Sequence, residues 1–214
     1  MSVHLAPEEI EAESFRLIDE EVGTHHWGPA EWPVVRRAIH TSADFDYVRT
    51  MVFSPRAVAR GVAALRQGRG IVTDTTMALS GIAKPRLKRF GLGAACFVAD
   101  PEVAREAKAL GITRSIVAMR KGAADGGNGI FVIGNAPTAL FELLRLIREE
   151  GVRPALIVGL PVGFVGAAES KEALLALEDE FPDIPFITNR GRKGGSNVAA
   201  AVVNALLILA EEAG

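Results

Sequence analysis

The sequence predicts a single α/β domain over residues 1–214, built on a parallel sheet of about five strands with helices on both sides. From Ile71 onward, strand-like and helix-like stretches alternate, the pattern of repeated strand–helix–strand units. The strand-like stretches are short, apolar throughout and β-branched, as strands covered on both faces should be. The chain, 214 residues with 49% hydrophobic and 23% charged side chains, can bury a sizeable core and reads as globular rather than disordered.

Taken in order, Pro7 to Val22 forms a helix with Ile10, Ser14, Leu17, Ile18 and Val22 on one side. Pro7 suits its first turn. Ser14 is a hydroxyl on an apolar face. A back-bond within the helix explains it, and so does contact with a ligand. His25 and His26 are adjacent in a Gly-Pro loop, without the spacing of a helical metal pair, and are read as structural. Trp32, Val35 and Ile39 recur at helical spacing until Ser42, Ala43 and Asp44 break the pattern, which leaves His40 in or near the last turn. The carbonyl dipoles there favour a protonated imidazole, as a general acid requires. Arg36, one turn earlier, opposes that if it shares the face. On chemistry alone, a structural histidine and a general acid both fit.

A helix over 55–66 follows, stopped by Gly68-Arg69-Gly70. Strands are expected at 71–73, 94–98, 130–133, 155–158 and 185–188. Helices follow from Pro101, over 137–149, from about Glu169 and over 197–211. Cys96 lies in the second strand's apolar run and is expected to be buried and inert. No linker, internal repeat or low-complexity tract interrupts the chain.

Composition removes several function classes. A net charge of -2 creates no field to attract nucleic acid, and the 6% aromatic residues are not interleaved with cations. One cysteine excludes an intrachain disulfide and fits a cytoplasmic setting. The acidic beginning (Glu8, Glu9, Glu11, Glu13) is no signal peptide, and no run approaches the roughly 20 apolar residues of a membrane span. The P-loop order is absent, and the glycine-rich 122–129 stretch precedes a strand, contrary to a dinucleotide fingerprint. No metal-ligand spacing and no serine nucleophile elbow occurs. A site without metal or cofactor is therefore expected.

In an open parallel sheet, ligands bind beyond the carboxyl ends of the strands. Those ends carry Asp74-Thr75-Thr76-Met77, Gly134-Asn135-Ala136-Pro137-Thr138, the 159–166 loop with Gly163, and Asn189-Arg190-Gly191-Arg192-Lys193-Gly194-Gly195-Ser196. Glycines allow close backbone approach, and helix N-termini offer free amides to anions. The last loop adds three cations, which suits an anion site, although a solvated turn also fits. Arg114 and the Arg120-Lys121 pair lie six or seven residues apart on a helix with no acidic residue before Asp125, and so are expected to face an external anion.

His40-Thr41-Ser42-Ala43-Asp44-Phe45-Asp46-Tyr47, followed by Met51-Val52-Phe53-Ser54-Pro55, resembles the precorrin-8X methylmutase (precorrin isomerase) family and its cobalt-precorrin-8 counterpart. Gly134–Leu140, Gly159–Lys171 and Gly191–Ser196 match the same family, so the resemblance spans nearly the whole chain. It implies a flavodoxin-like three-layer sandwich, a homodimer with sites near the interface, and a role in cobalamin biosynthesis. The implied reaction moves a methyl group on a tetrapyrrole from C11 to C12, a [1,5]-sigmatropic shift assisted by protonation of a ring nitrogen. The products are hydrogenobyrinate, or cobyrinate from the cobalt substrate. By the same resemblance His40 is the general acid, while Ser14 and Arg114 contact substrate. Arg120, Asn135, Gly163, Arg192, Lys193 and Gly194 complete the expected substrate-binding set. The spelling of the His40 motif resembles the cobalt-dependent branch more closely. The alternatives are a non-catalytic corrinoid-binding carrier and an enzyme of small anions, such as a phosphate-ester lyase.

Overall fold

A computed structural model describes residues 6–212, without the side chains of Pro7 and Glu8. In chain order, its elements begin with helices α1 (Pro7–Val22), α2 (Trp32–Ser42) and α3 (Tyr47–Thr50), then β1 (Met51–Phe53), α4 (Ala57–Arg66), β2 (Gly70–Thr73) and α5 (Thr76–Gly81). They continue with α6 (Lys84–Arg89), β3 (Ala94–Ala95), α7 (Pro101–Leu110), α8 (Arg114–Ala124) and β4 (Asn128–Ile133). Helix α9 (Pro137–Glu149), β5 (Leu156–Gly159), α10 (Ala167–Glu180), β6 (Phe186–Asn189) and α11 (Ser196–Glu212) complete the chain.

The strands form one six-stranded sheet in the order β1-β6-β5-β4-β2-β3. The five anticipated strands are present and mutually parallel where they pair. A sixth, unanticipated strand, β1, runs antiparallel along β6, with Met51 opposite Asn189 and Phe53 opposite Ile187. Strand β3 is shorter than expected. It ends at Ala95, so Cys96 is only partly buried rather than sealed in the sheet. Helix α4 starts at Ala57 because Arg56 takes a left-handed backbone (φ 60°), which delays the first turn beyond Pro55.

Alternation along the strands sorts the core into two layers. Ile71, Ile130, Val132, Leu156, Val158 and Ile187 face α2, α4 and α11. Val72, Phe131, Ile133, Ile157 and Phe186 face the other way, onto α9, α10 and Met119 of α8. Each of these strand side chains is at most 2% exposed. At about 1.5–3 kcal/mol per fully buried aliphatic or aromatic side chain, the two layers rather than surface ion pairs dominate the favourable side of folding. A fold of this shape leaves a row of loops along the carboxyl edge of the parallel strands, and the candidate site lies there.

Candidate functional site at the carboxyl edge of the sheet

Loop geometry at this edge is fixed by buried polar groups. Asp74 follows β2 and is 1% exposed. Its Oδ1 accepts the Gly134 amide (2.9 Å), and its Oδ2 accepts the amides of Asn135 (2.8 Å) and Ala136 (2.7 Å). Burial pushes its carboxyl up, while the three amides pull it down less strongly. Next to it, the Thr75 and Ser196 hydroxyls meet at 2.8 Å, tying the start of α5 to the start of α11. The loops after β5 and β6 are joined directly. The amide of Gly195 donates to the Leu160 carbonyl at 3.0 Å, and that of Gly163 donates to the Arg192 carbonyl at 3.2 Å. A Cβ at Gly194 would stand 2.3 Å from the Leu160 oxygen, so only glycine fits. Gly163 and Gly194 therefore share one end of the sheet.

His40 occupies the last turn of α2, which ends where Ala43 turns left-handed (φ 52°). Its exposed imidazole stands edge-on to Phe15 of α1, with ring centroids 5.1 Å apart. It borders a cleft of about 310 Å³ between α2, α5 and α11, together with Arg37, Thr41, Gly81, Asn197 and Asn204. The Asn197 amide group donates to the Thr41 carbonyl at 3.3 Å, linking the histidine segment to the first turn of α11. Arg36 is held by Asp19 (2.8 Å) and Arg37 by Glu11 (2.8 Å). No carboxylate pairs with His40 among the described residues.

Ser14 sits beside Phe15 and donates back to the Ile10 carbonyl at 2.7 Å, the helix-internal bond that its position allowed. His25 stacks on Trp32 and His26 rests on Trp27, in keeping with structural roles. Tyr47 of the histidine motif is a core residue, 2% exposed. Burial and the nearby Asp44 push its phenol up to about 12.

The cations divide into two groups, and this corrects the expectation that they lack acidic partners. Arg120 pairs with Glu142 at 2.8 Å, a carboxylate shared with Arg145 at 2.6 Å. Burial raises the Glu142 carboxyl, but the two guanidiniums outweigh it and hold the group below its usual range. Arg120 also lies about 9 Å down the helix from Arg114 and lines a separate cavity of about 660 Å³ with Arg145 and Glu150. Lys121 pairs with Asp100 (2.9 Å) and Glu102 (3.4 Å). Lys193 bridges Asp44 and Asp46, both at 2.6 Å, and so clamps the last loop onto the histidine motif. Arg114 and Arg192 have no ion pair among the described residues. Arg192 lies over the Phe164 ring, 5.7 Å from its centroid, and Arg114 opens α8 where Thr113 meets Thr138 at 3.1 Å.

Exposed apolar side chains accompany them: Met77 (71% exposed), Phe164 (85%) and Val165 (90%). The exposed Asn135 side chain stands on the loop that Asp74 holds. Arg37, Asn197, Asp74 and Lys171 were not assigned roles from the sequence. Lys171 had a signal, because it falls on the buried stripe of α10 with Ala167 and Leu174. Its ammonium reaches the Lys193 carbonyl (2.6 Å) and Asn189 Oδ1 (3.2 Å), and burial pulls it down to about 8.

No cluster of His, Cys, Asp and Glu among the described residues could hold a metal ion, and no helix among them is long and apolar enough to cross a membrane. The arrangement offers an imidazole, free guanidiniums and exposed apolar surface along one sheet edge, which suits a large ligand bearing anionic groups.

The comparisons identify the class: the chain is an isomerase of the methylmutase type. Residues 9–209 match the family model described as precorrin-8X methylmutase. A cobalt-precorrin-8 methylmutase of Priestia megaterium is 48% identical over 205 residues, 96% of this chain and 89% of that protein. Its counterpart in Leptospira interrogans is 49% identical, covering 96% of this chain and 94% of the relative. The crystal structure of a precorrin-8x methyl mutase from Thermus thermophilus superposes with a TM-score of 0.86 at 42% identity, over 96% of this chain and 98% of that one. The chain belongs to the precorrin-8X methylmutase family.

Proposed function

We propose that this protein moves a methyl group from C11 to C12 of precorrin-8X or cobalt-precorrin-8, giving hydrogenobyrinate or cobyrinate, with His40 as the general acid. The observation that carries the proposal is the position of His40. It is exposed at the end of α2, beside a cleft, unpaired with any carboxylate among the described residues, and linked through Thr41 and Asn197 to the carboxyl-edge loops. A proton placed on a ring nitrogen makes the conjugated system electron-poor, which lowers the barrier to migration. Returning that proton afterwards leaves the atom balance unchanged, as an isomerisation requires. The reaction needs no net oxidation or hydrolysis.

Arg114 and Arg192, whose guanidiniums have no ion pair among the described residues, would bind the substrate's peripheral carboxylates. Lys193 and Arg120 could join them only by sharing or exchanging Asp44, Asp46 and Glu142. Ser14, Asn135, Gly163 and Gly194 would line the ligand, with the exposed Phe164 and Met77 supplying apolar contact. Pairing of two copies would cover part of that apolar edge, which supports a homodimer. The cobalt-bearing substrate is favoured by the names of the relatives at 48% and 49% identity.

Replacing His40 by Ala should preserve corrinoid product binding while slowing single-turnover conversion at least ~10²-fold. A near-parental rate would assign the proton transfer to another group. Tight product binding by the parent without any turnover would indicate a carrier.

A further inference from the structure

We propose that Lys171 is a positioning residue of this site, acting by gripping the backbone of the 190–195 loop from beneath. The inference rests on the functional reading above for what the loop binds, but the grip itself is geometric. Lys171 is 0% exposed on α10 and, among the described residues, its ammonium pairs with no carboxylate, although the charge of the adjacent Glu172 favours it. A lysine without an acidic partner is rarely buried unless its donors are needed where it points. Here they point at one place. The Lys193 carbonyl accepts from Lys171 Nζ at 2.6 Å and from Asn189 Nδ2 at 2.9 Å, while Asn189 Oδ1 accepts from the same ammonium at 3.2 Å. Asn189 Nδ2 also reaches the Arg190 carbonyl at 3.1 Å.

The loop is thus folded inward around its own carbonyls, and its side chains are turned outward. Its outer contacts lead to the rest of the site. The Arg192 carbonyl takes the Gly163 amide, and the Lys193 ammonium holds Asp44 and Asp46 of the histidine motif. Without the buried grip, the Lys193 carbonyl would lose its charged donor, and Arg192 would no longer be presented from a fixed backbone.

The test uses Lys171→Met, which keeps the aliphatic stem but removes the donors, with Asn189→Ala as a second variant that weakens the same clamp. Folding of each would be checked by far-UV circular dichroism. Hydrogenobyrinate and cobyrinate are the probes, titrated by their visible absorbance. Either variant should weaken product binding by about tenfold. Arg192→Ala should cost about tenfold in the parent but less than about threefold in the Lys171→Met background, because a mispositioned guanidinium has little left to lose. Simple additivity, or parental affinity in a folded variant, would overturn the proposal.

Trypsin gives a readout independent of the ligand. Cleavage after Arg190, Arg192 or Lys193 should be about tenfold faster in the variants if the loop is released, and unchanged if Lys171 does not hold it. A parent that binds no corrinoid, together with variants that expose the loop, would refute the functional reading while upholding the grip.

Discussion

Replacing Gly194 by Ala should separate the two loops that build the candidate site. An added Cβ would stand 2.3 Å from the Leu160 carbonyl oxygen and 2.7 Å from that of Pro161. Both obstacles are backbone, so no rotamer change relieves the clash and the chain must move. Overpacking of this kind costs about 1–3 kcal/mol. The movement would also weaken the 3.0 Å bond from the Gly195 amide to Leu160, worth roughly 0.5–1.5 kcal/mol. Together these give about 1.5–4.5 kcal/mol. At roughly 2–4 °C per kcal/mol for a chain of this length, the melting temperature should fall by about 3–18 °C. Thermal melts and urea titrations read both quantities. Gly93→Ala serves as the control, since nothing lies within 4 Å of the added methyl, and it should stay within about 0.5 kcal/mol of the parent. A Gly194→Ala protein as stable as its parent would show that the loops are not held together by this contact.

Among the cations, Arg192→Ala should weaken product binding by about tenfold, with a salt dependence that diminishes in the variant. Arg120→Ala should instead lower stability by removing one partner of the buried Glu142 carboxylate and leave product affinity close to parental; the reverse pattern would restore Arg120 to the binding set. Lys171 carries a pH signature. Its folded value of about 8 lies below the ordinary 10.5, so the unfolded chain binds more protons between them and stability should rise with pH across that window. Relative to Lys171→Met, the parent should gain about 1–2 kcal/mol between roughly pH 7.5 and 9.5 in urea unfolding. A difference that stayed flat over that range would mean the ammonium is favourably paired rather than desolvated, since both states would then remain protonated throughout it.

The parallel strands were legible because covering both faces demands continuous apolar, β-branched runs, and Ile71–Thr73 and Ile130–Ile133 show them plainly. Strand β1 was not. Three residues, Met51 to Phe53, establish no period, and their partner lies at Asn189. Local reading also misjudged the cations. Arg120 finds Glu142 only when two helices pack, and Lys193 finds Asp46 across 147 residues of sequence. The candidate site was placed by the general rule for parallel sheets, and the glycine-bearing loops do lie together along the carboxyl edge. Its internal scaffolding, Asp74 under the 134–136 amides and Lys171 under the last loop, required the third dimension. For Lys171 the sequence showed only a charge at helical spacing from Ala167 and Leu174, whose burial became visible in the fold.

The methyl shift itself is read by incubating the purified protein with precorrin-8X and, separately, with cobalt-precorrin-8, recording the visible spectrum over time and comparing the product's mass with the substrate's. At least one substrate should be converted to the spectrum of hydrogenobyrinate or cobyrinate at unchanged mass, without any added cofactor. Failure to convert either substrate, by a folded protein shown to bind it, would rule out the proposed methyl shift.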